Sequence, residues 1–336
     1  MLFLFKRKKT PRSTPFFSPL FLLLILVLLV FPPPAPAQGL KKVRLIPDWL
    51  PQAQFAGFMV ALEKGFYREA GLEVEIITGG PGRLPFDLLE SRRADFGVIW
   101  LSSAIVRRSR GLKIVNLAQV AQRSSLLLVA KKQSGIRTPG DLRGKKVGLW
   151  AGDFRGTPSV FLKKLGLAVE VIPQYYSINL FIRDGVAAAA AMYYNEYDQI
   201  IQSGLNPDEL TLFFLKDFGV DFPEDGLYCL ESTYDQDPEM CERFAQATMK
   251  GWRSAAQNKK ETLDLVLENM AGSTIGANRA HQSWMLDRFL EAVFIPGDDQ
   301  PGRLKAEDYA RTAQQLREYG LIENIPPFED FQGGRP

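Results

Sequence analysis

The stretch that most constrains the fold is Lys41 to Ile76, KKVRLIPDWLPQAQFAGFMVALEKGFYREAGLEVEI. An apolar run, Val43 to Ile46, leads into a loop bracketed by Pro47 and Pro51, and Phe55, Phe58, Met59 and Leu62 then recur at helical spacing. Gly65 and Gly71 punctuate the return to a second strand, in which Val74 and Ile76 alternate with acids. The pattern predicts a βαβ unit and hence an α/β chain built on parallel sheet. In open parallel sheets ligands gather beyond the carboxyl ends of the strands, which places the loop Asp48-Trp49-Leu50-Pro51-Gln52 at a site. A carboxylate, a large aromatic and an amide suit a flat, nitrogen-rich molecule; packing of Trp49 against the helix is the other use of that ring.

The first 37 residues have a basic start, an uninterrupted apolar run from Leu20 to Phe31, and small residues at Ala35 and Ala37. This predicts a signal peptide cut near Ala37, with export to the periplasm. The apolar run is shorter than the roughly 20 residues of a spanning helix. Removing the five basic residues of this segment from the chain's 41 leaves 36 against 38 acids. A near-neutral mature chain gives no electrostatic footprint for nucleic acid. Cys229 and Cys241 are the only cysteines, and in an oxidising compartment they are either a disulfide between a strand and a helix or two buried thiols.

Further along, Asp95 to Trp100 reads as a buried strand that delivers Trp100, Ser102 and Ser103 to a helix start, where Ser102 either caps the helix or receives ligand. Polar residues from Lys131 to Arg143 mark the crossing into a second lobe with the first lobe's plan: a strand ending at Trp150, a loop Ala151-Gly152-Asp153-Phe154, and a helix capped by Thr157. Asp153 joins the candidate ligand contacts. The small, apolar run Val186 to Met192 predicts a buried strand ending in Tyr193-Tyr194-Asn195-Glu196, a polar aromatic wall suited to ligand contact, with Asn195 alternatively a helix cap. The expected organisation is lobe one from 38–130 and 228–325, lobe two from 131–227, and a mobile tail at 326–336. Two crossing segments between lobes make a hinge that closes on ligand.

The segments DWLPQAQFAGFMVALEKGFYREAGLEVEI, ADFGVIW and SGIRTPGDLRGKKVGLW resemble the type II periplasmic substrate-binding proteins of ABC transporters. The resemblance is to the branch of sulfonate and thiamine-pyrimidine-precursor binders that also contains thiamine-pyrimidine synthases, and it spans about residues 41–290. It implies two Rossmann-like lobes, a small heterocyclic ligand between them, an inner-membrane ABC permease as partner, and a monomer without cofactor or metal. By the same resemblance Trp49 stacks on the ligand ring, Asp48 bonds its substituents and Glu196 accepts from an amidine-like N–H pair, with Tyr193, Tyr194 and Asn195 beside them. Pyrimidine binders read Asn-Thr-Asn-His after the proline, whereas this chain has Gln52-Ala53-Gln54-Phe55, a pattern similar to flavin-precursor binders.

Two other functions stay open at this level: a synthase of the thiamine-pyrimidine pathway, and a periplasmic subunit that senses its ligand. Synthases of the branch resembled use a lysine that holds pyridoxal phosphate, a histidine and a cysteine-rich iron site. Alignment on Asp95-Phe96-Gly97 puts Ile99 at the lysine and Ser103 at the histidine, and Cys229 stands without a cluster. With His281 as the one histidine, neither a Ser-His-Asp triad nor a His/Cys metal site assembles. Its helical context, AHQSWMLDRFL, predicts a surface or structural role.

Overall fold

The computed structural model describes residues 39–273 and 275–333, so the expected signal peptide lies outside the described residues. Two five-stranded mixed sheets form two lobes. The first contains β1 (Lys41–Ile46), β2 (Leu72–Ile76), β3 (Phe96–Trp100), β4 (Ile114–Gln119) and β10 (Asp225–Leu230), ordered β2-β1-β3-β10-β4. The second contains β5 (Leu126–Lys131), β6 (Lys146–Trp150), β7 (Glu170–Gln174), β8 (Ala188–Met192) and β9 (Leu210–Phe214), ordered β7-β6-β8-β5-β9. In each sheet the first three strands in that order run parallel, and the strand arriving from the other lobe is antiparallel to both its neighbours. The βαβ reading of the opening stretch is thus realised twice, once per lobe.

The helices that shape the site are α1 (Ala56–Glu63), α2 (Leu101–Ser109), α3 (Gly156–Lys164), α4 (Glu196–Gln202), α5 (Pro238–Gln257), α6 (Arg279–Val293) and α7 (Ala306–Glu318). On α5, Phe244, Thr248 and Trp252 recur at i, i+4, i+8 and are fully buried, and Trp252 meets Phe58 of α1 edge-on at 6.0 Å. The helices α1 and α5 approach so closely that a Cβ at Gly251 would lie 2.1 Å from the Gly57 carbonyl oxygen. Only glycine fits there. Among the described residues no helix is long and apolar enough to cross a membrane.

Several expectations need correction. Strand β5 pairs with β8 and β9, so residues 126–131 belong to lobe two, and the first crossing lies at 120–125 rather than at 130/131. The polar stretch after Lys131 marks a surface turn, Lys132–Ser134, not a passage between lobes. The return crossing likewise ends before Asp225, because all of β10 lies in the first sheet. The tail is packed rather than loose through residue 333: Phe331 is fully buried against Tyr228 and Tyr309, and the Gly333 amide donates to the Asn116 carbonyl at 2.7 Å. Finally, Cys229 and Cys241 are both buried free thiols, with the Cys241 thiol facing the Thr233 carbonyl at 3.9 Å. Burial, then the neighbouring Cys241 thiol, pushes the Cys229 thiol pKa well up, away from reactive thiolate character.

Candidate ligand-binding site

The carboxyl ends of the parallel strands converge on a small cavity between the lobes. Lobe one supplies Asp48, Trp49 and Gln54 from the loop after β1 and Trp100 from the end of β3. Lobe two supplies Trp150 from the end of β6, Phe154 from the next loop, and Met192, Tyr194, Asn195 and Glu196 from the end of β8. Phe154 reaches across the cleft and meets Trp49 at 5.6 Å and Trp100 at 5.0 Å, both edge-on.

Four buried acids stand in or just behind this aromatic chamber. Asp48 is fully enclosed, and neither of its carboxylate oxygens has a hydrogen-bond partner. Burial, then the nearby Asp225 and Glu224, pushes its pKa well above the usual carboxylate range; its own backbone N–H lies near enough to oppose that rise but makes no hydrogen bond of good geometry. Asp225 accepts from Gln54 Nε2 at 2.8 Å while its second oxygen is unpartnered, and burial raises its pKa to about 7. The Trp100 indole N–H lies near enough to Asp225 to oppose that rise but makes no hydrogen bond of good geometry. Glu196 is held at both oxygens, by the Met192 amide and by Asn195 Nδ2, each at 2.9 Å. Burial raises its pKa to about 7 against those donors. Glu224, at the hinge, accepts from Ser124 Oγ at 3.0 Å and the Ser125 amide at 2.7 Å and so ties the two crossing segments together.

Six residues singled out in the sequence meet here: Asp48, Trp49, Trp100, Tyr194, Asn195 and Glu196. The other five do not line the cavity, and each has a different task. Gln52 is buried behind it, donating to Gln54 Oε1 at 2.6 Å. Ser102 neither caps α2 nor faces the cavity; its hydroxyl meets Thr157 Oγ1 at 3.0 Å across the cleft. Thr157, expected as a helix cap, lies inside α3 and is spent on that contact. Ser103 donates to the Asp153 carbonyl at 2.5 Å, and the Asp153 carboxylate pairs with Arg107 at 3.2 Å, so Ser103 and Asp153 latch the lobes. Tyr193 turns away to stack on Tyr197, with ring centroids 4.9 Å apart. Asn195 occupies the N-cap position of α4, yet its side chain makes no cap bond and reaches Glu196 instead.

Four lining residues escaped the sequence reading: Gln54, Trp150, Phe154 and Met192. The repeat between lobes holds a signal for one of them. Trp150 ends β6 as Trp100 ends β3, and both line the cavity. His281 is buried rather than on the surface and sits directly behind Asn195.

This two-lobed architecture is the periplasmic binding protein fold. The aliphatic sulphonate-binding protein of Escherichia coli superposes with a TM-score of 0.64 at 14% identity, covering 86% of this chain and 91% of that one. The family model described as NMT1/THI5 like matches residues 52–262, and the chain belongs to that family. The formylaminopyrimidine-binding protein of Halalkalibacterium halodurans is 24% identical over 303 residues, 87% of this chain and 90% of that protein. A putative thiamine biosynthesis protein of Haemophilus influenzae is 27% identical over 189 residues, 55% of this chain, and the match spans 60% of that protein's length.

Proposed function

We propose that this protein is an exported solute-binding protein that captures a single-ring nitrogen heterocycle of the aminopyrimidine type between its lobes and delivers it to an ABC permease. The observation that carries this reading is Asp48: a buried carboxyl group with two unpartnered oxygens at the floor of a tryptophan-walled chamber. Leaving such an acceptor unsatisfied costs about 1–3 kcal/mol, so a ligand that brings paired N–H donors relieves a standing penalty. The formylaminopyrimidine-binding relative supports the same class. The sequence pattern at the N-terminus supports export.

The pyridoxal phosphate of the related synthases does not fit these residues. Among the described residues no lysine lines the cavity, so no Schiff base forms on its wall, and no lysine or arginine there would pair with a phosphate. Ile99, at the position matched to the synthase lysine, is buried inside β3.

The test is a calorimetric and thermal-shift series on residues 38–336 with 4-amino-5-hydroxymethyl-2-methylpyrimidine, its formylamino analogue, riboflavin and an alkanesulfonate. An aminopyrimidine at 100 times its Kd should stabilise the protein by about 2.7 kcal/mol. Stabilisation by riboflavin or the sulfonate alone would overturn the ligand class.

A further inference from the structure

The chain's one histidine, His281, lies in the first turn of α6 and is buried between the lobes. Its Nδ1 is 2.7 Å from Asp198 Oδ2 and its Nε2 is 3.1 Å from Asn195 Oδ1. A carboxylate oxygen and an amide oxygen are both acceptors. A neutral imidazole has one N–H, so only the doubly protonated ring donates to both at once. The Asn195 amide has two further partners: its Nδ2 donates to Glu196 Oε1 at 2.9 Å, and its Oδ1 also accepts from Gln199 Nε2 at 2.7 Å.

The same helix grips both lobes at the cavity. Gln282 Oε1 accepts from the Ala53 amide at 2.8 Å, beside the lining residue Gln54 of lobe one. Trp284 Nε1 donates to the Tyr193 carbonyl at 3.1 Å, and Asn278 Nδ2 to Gln202 Oε1 at 2.9 Å, both in lobe two. The helix is seated on lobe one through Phe289 against Trp252, with centroids 5.2 Å apart. The charged groups around the ring are few. Asp198 faces it from α4, and Glu196 is one hydrogen bond further through Asn195. On α6 itself Arg279 is paired with Asp264, Asp287 with Lys259, and Arg288 lies over Trp284. The pocket loop Ala53–Phe55 carries no titratable group.

We propose that His281 is a positioning residue of the binding site: its doubly protonated ring orients the Asn195 amide so that the N–H group points at Glu196, and it cross-links the closed lobes. Glu196 is thereby kept as an acceptor facing the Asn195 N–H group. If the ring loses its Nε2 proton, that nitrogen becomes an acceptor facing the Asn195 oxygen. The amide relieves the clash by turning over, which sets its oxygen against Glu196, and that contact is bonded only if Glu196 takes up a proton. Lobe closure and the charge state of the cavity are therefore coupled through one proton on His281. The role in ligand capture rests on the solute-binding reading; the protonation state and the lobe contact do not.

The experiment uses the mature chain, residues 38–336, labelled with 15N in histidine, where a single spin system reports His281 alone. In the ligand-free protein at about pH 7.5 both ring nitrogens should carry protons, and in Asp198→Asn one of them should lose its proton. An unprotonated, pyridine-type nitrogen in the wild-type protein would overturn the proposal. The second arm measures 4-amino-5-hydroxymethyl-2-methylpyrimidine affinity from about pH 6.5 to 8.5 in wild type and in His281→Gln, whose amide N–H donates to Asn195 at every pH. Wild-type affinity should fall about tenfold across that range while the variant, folded by circular dichroism, stays flat. Identical profiles would overturn the positioning role. If the pyrimidine fails to bind wild type at any pH, the functional reading fails, and the nitrogen spectrum alone decides the state of His281.

Discussion

The two lobes share one sheet order, yet the acids they place at the cleft are in opposite condition. Glu196 of lobe two is braced at both oxygens by its own lobe, while Asp48 of lobe one has no partner at either. The braced acid is part of the wall's construction. The unbraced one waits for a partner that the protein does not supply. A repeat of secondary structure therefore does not carry a repeat of function, because the hydrogen bonds that satisfy a carboxylate are local to each loop.

The largest effect should come from Asp48→Asn. Aminopyrimidine affinity is expected to fall about 100-fold by calorimetry, equivalent to about 2.7 kcal/mol. The ligand-free protein should be as stable as wild type or more so, because an unsatisfied buried acid has been removed. A variant with lost stability and intact affinity would reverse the comparison between the two acids.

Glu196→Gln should behave in the opposite way. Its amide N–H would face a donor, either the Met192 amide or Asn195 Nδ2, and urea unfolding should register a loss of about 1–3 kcal/mol in the ligand-free protein. Full stability together with a large loss of affinity would make Glu196 the primary ligand acceptor instead.

The pH dependence gives a third separation. A carboxyl whose folded-state pKa is raised holds its proton in the native state between its unfolded value near 4 and the raised value, so stability falls as pH rises through that window. For Asp225 and Glu196 the window ends at about 7. The ligand-free Tm should therefore decline from about pH 5 to 7, and Asp225→Asn should flatten the decline. A Tm that rises over the same interval would contradict the burial of these acids.

The smallest effect belongs to the latch. Arg107 and Asp153 are partly exposed, and their pair is worth about 0–1 kcal/mol. Asp153→Asn should speed ligand release by about two- to fivefold in stopped-flow, with the on-rate unchanged. A loss of affinity comparable to that of Asp48→Asn would place Asp153 in the cavity.

Much of the fold was written locally. The opening βαβ unit, the strand ending at Trp100, its counterpart ending at Trp150 and the α5 stripe Phe244-Thr248-Trp252 follow from periodicity and punctuation, since neighbours in the chain set those patterns. The loops that build the site could be placed for the same reason: they follow predictable strands in a parallel sheet. Which residue in each loop faces the cavity was not decided locally. Ser102, Ser103 and Asp153 share a cleft with Trp100 and Phe154, but their partners are some fifty residues away in the other lobe, and the closing of the cleft turned them into a latch. The passage of β5 into the second sheet and the burial of Phe331 likewise depend on partners distant in sequence. His281 shows the limit most plainly. Its own helix gives no sign of Asp198 and Asn195, which lie more than eighty residues earlier. Local patterning dictates the elements and the strand ends where a ligand gathers; which polar groups arrive there already satisfied is settled in three dimensions, because hydrogen-bond partners are assigned only when the lobes meet.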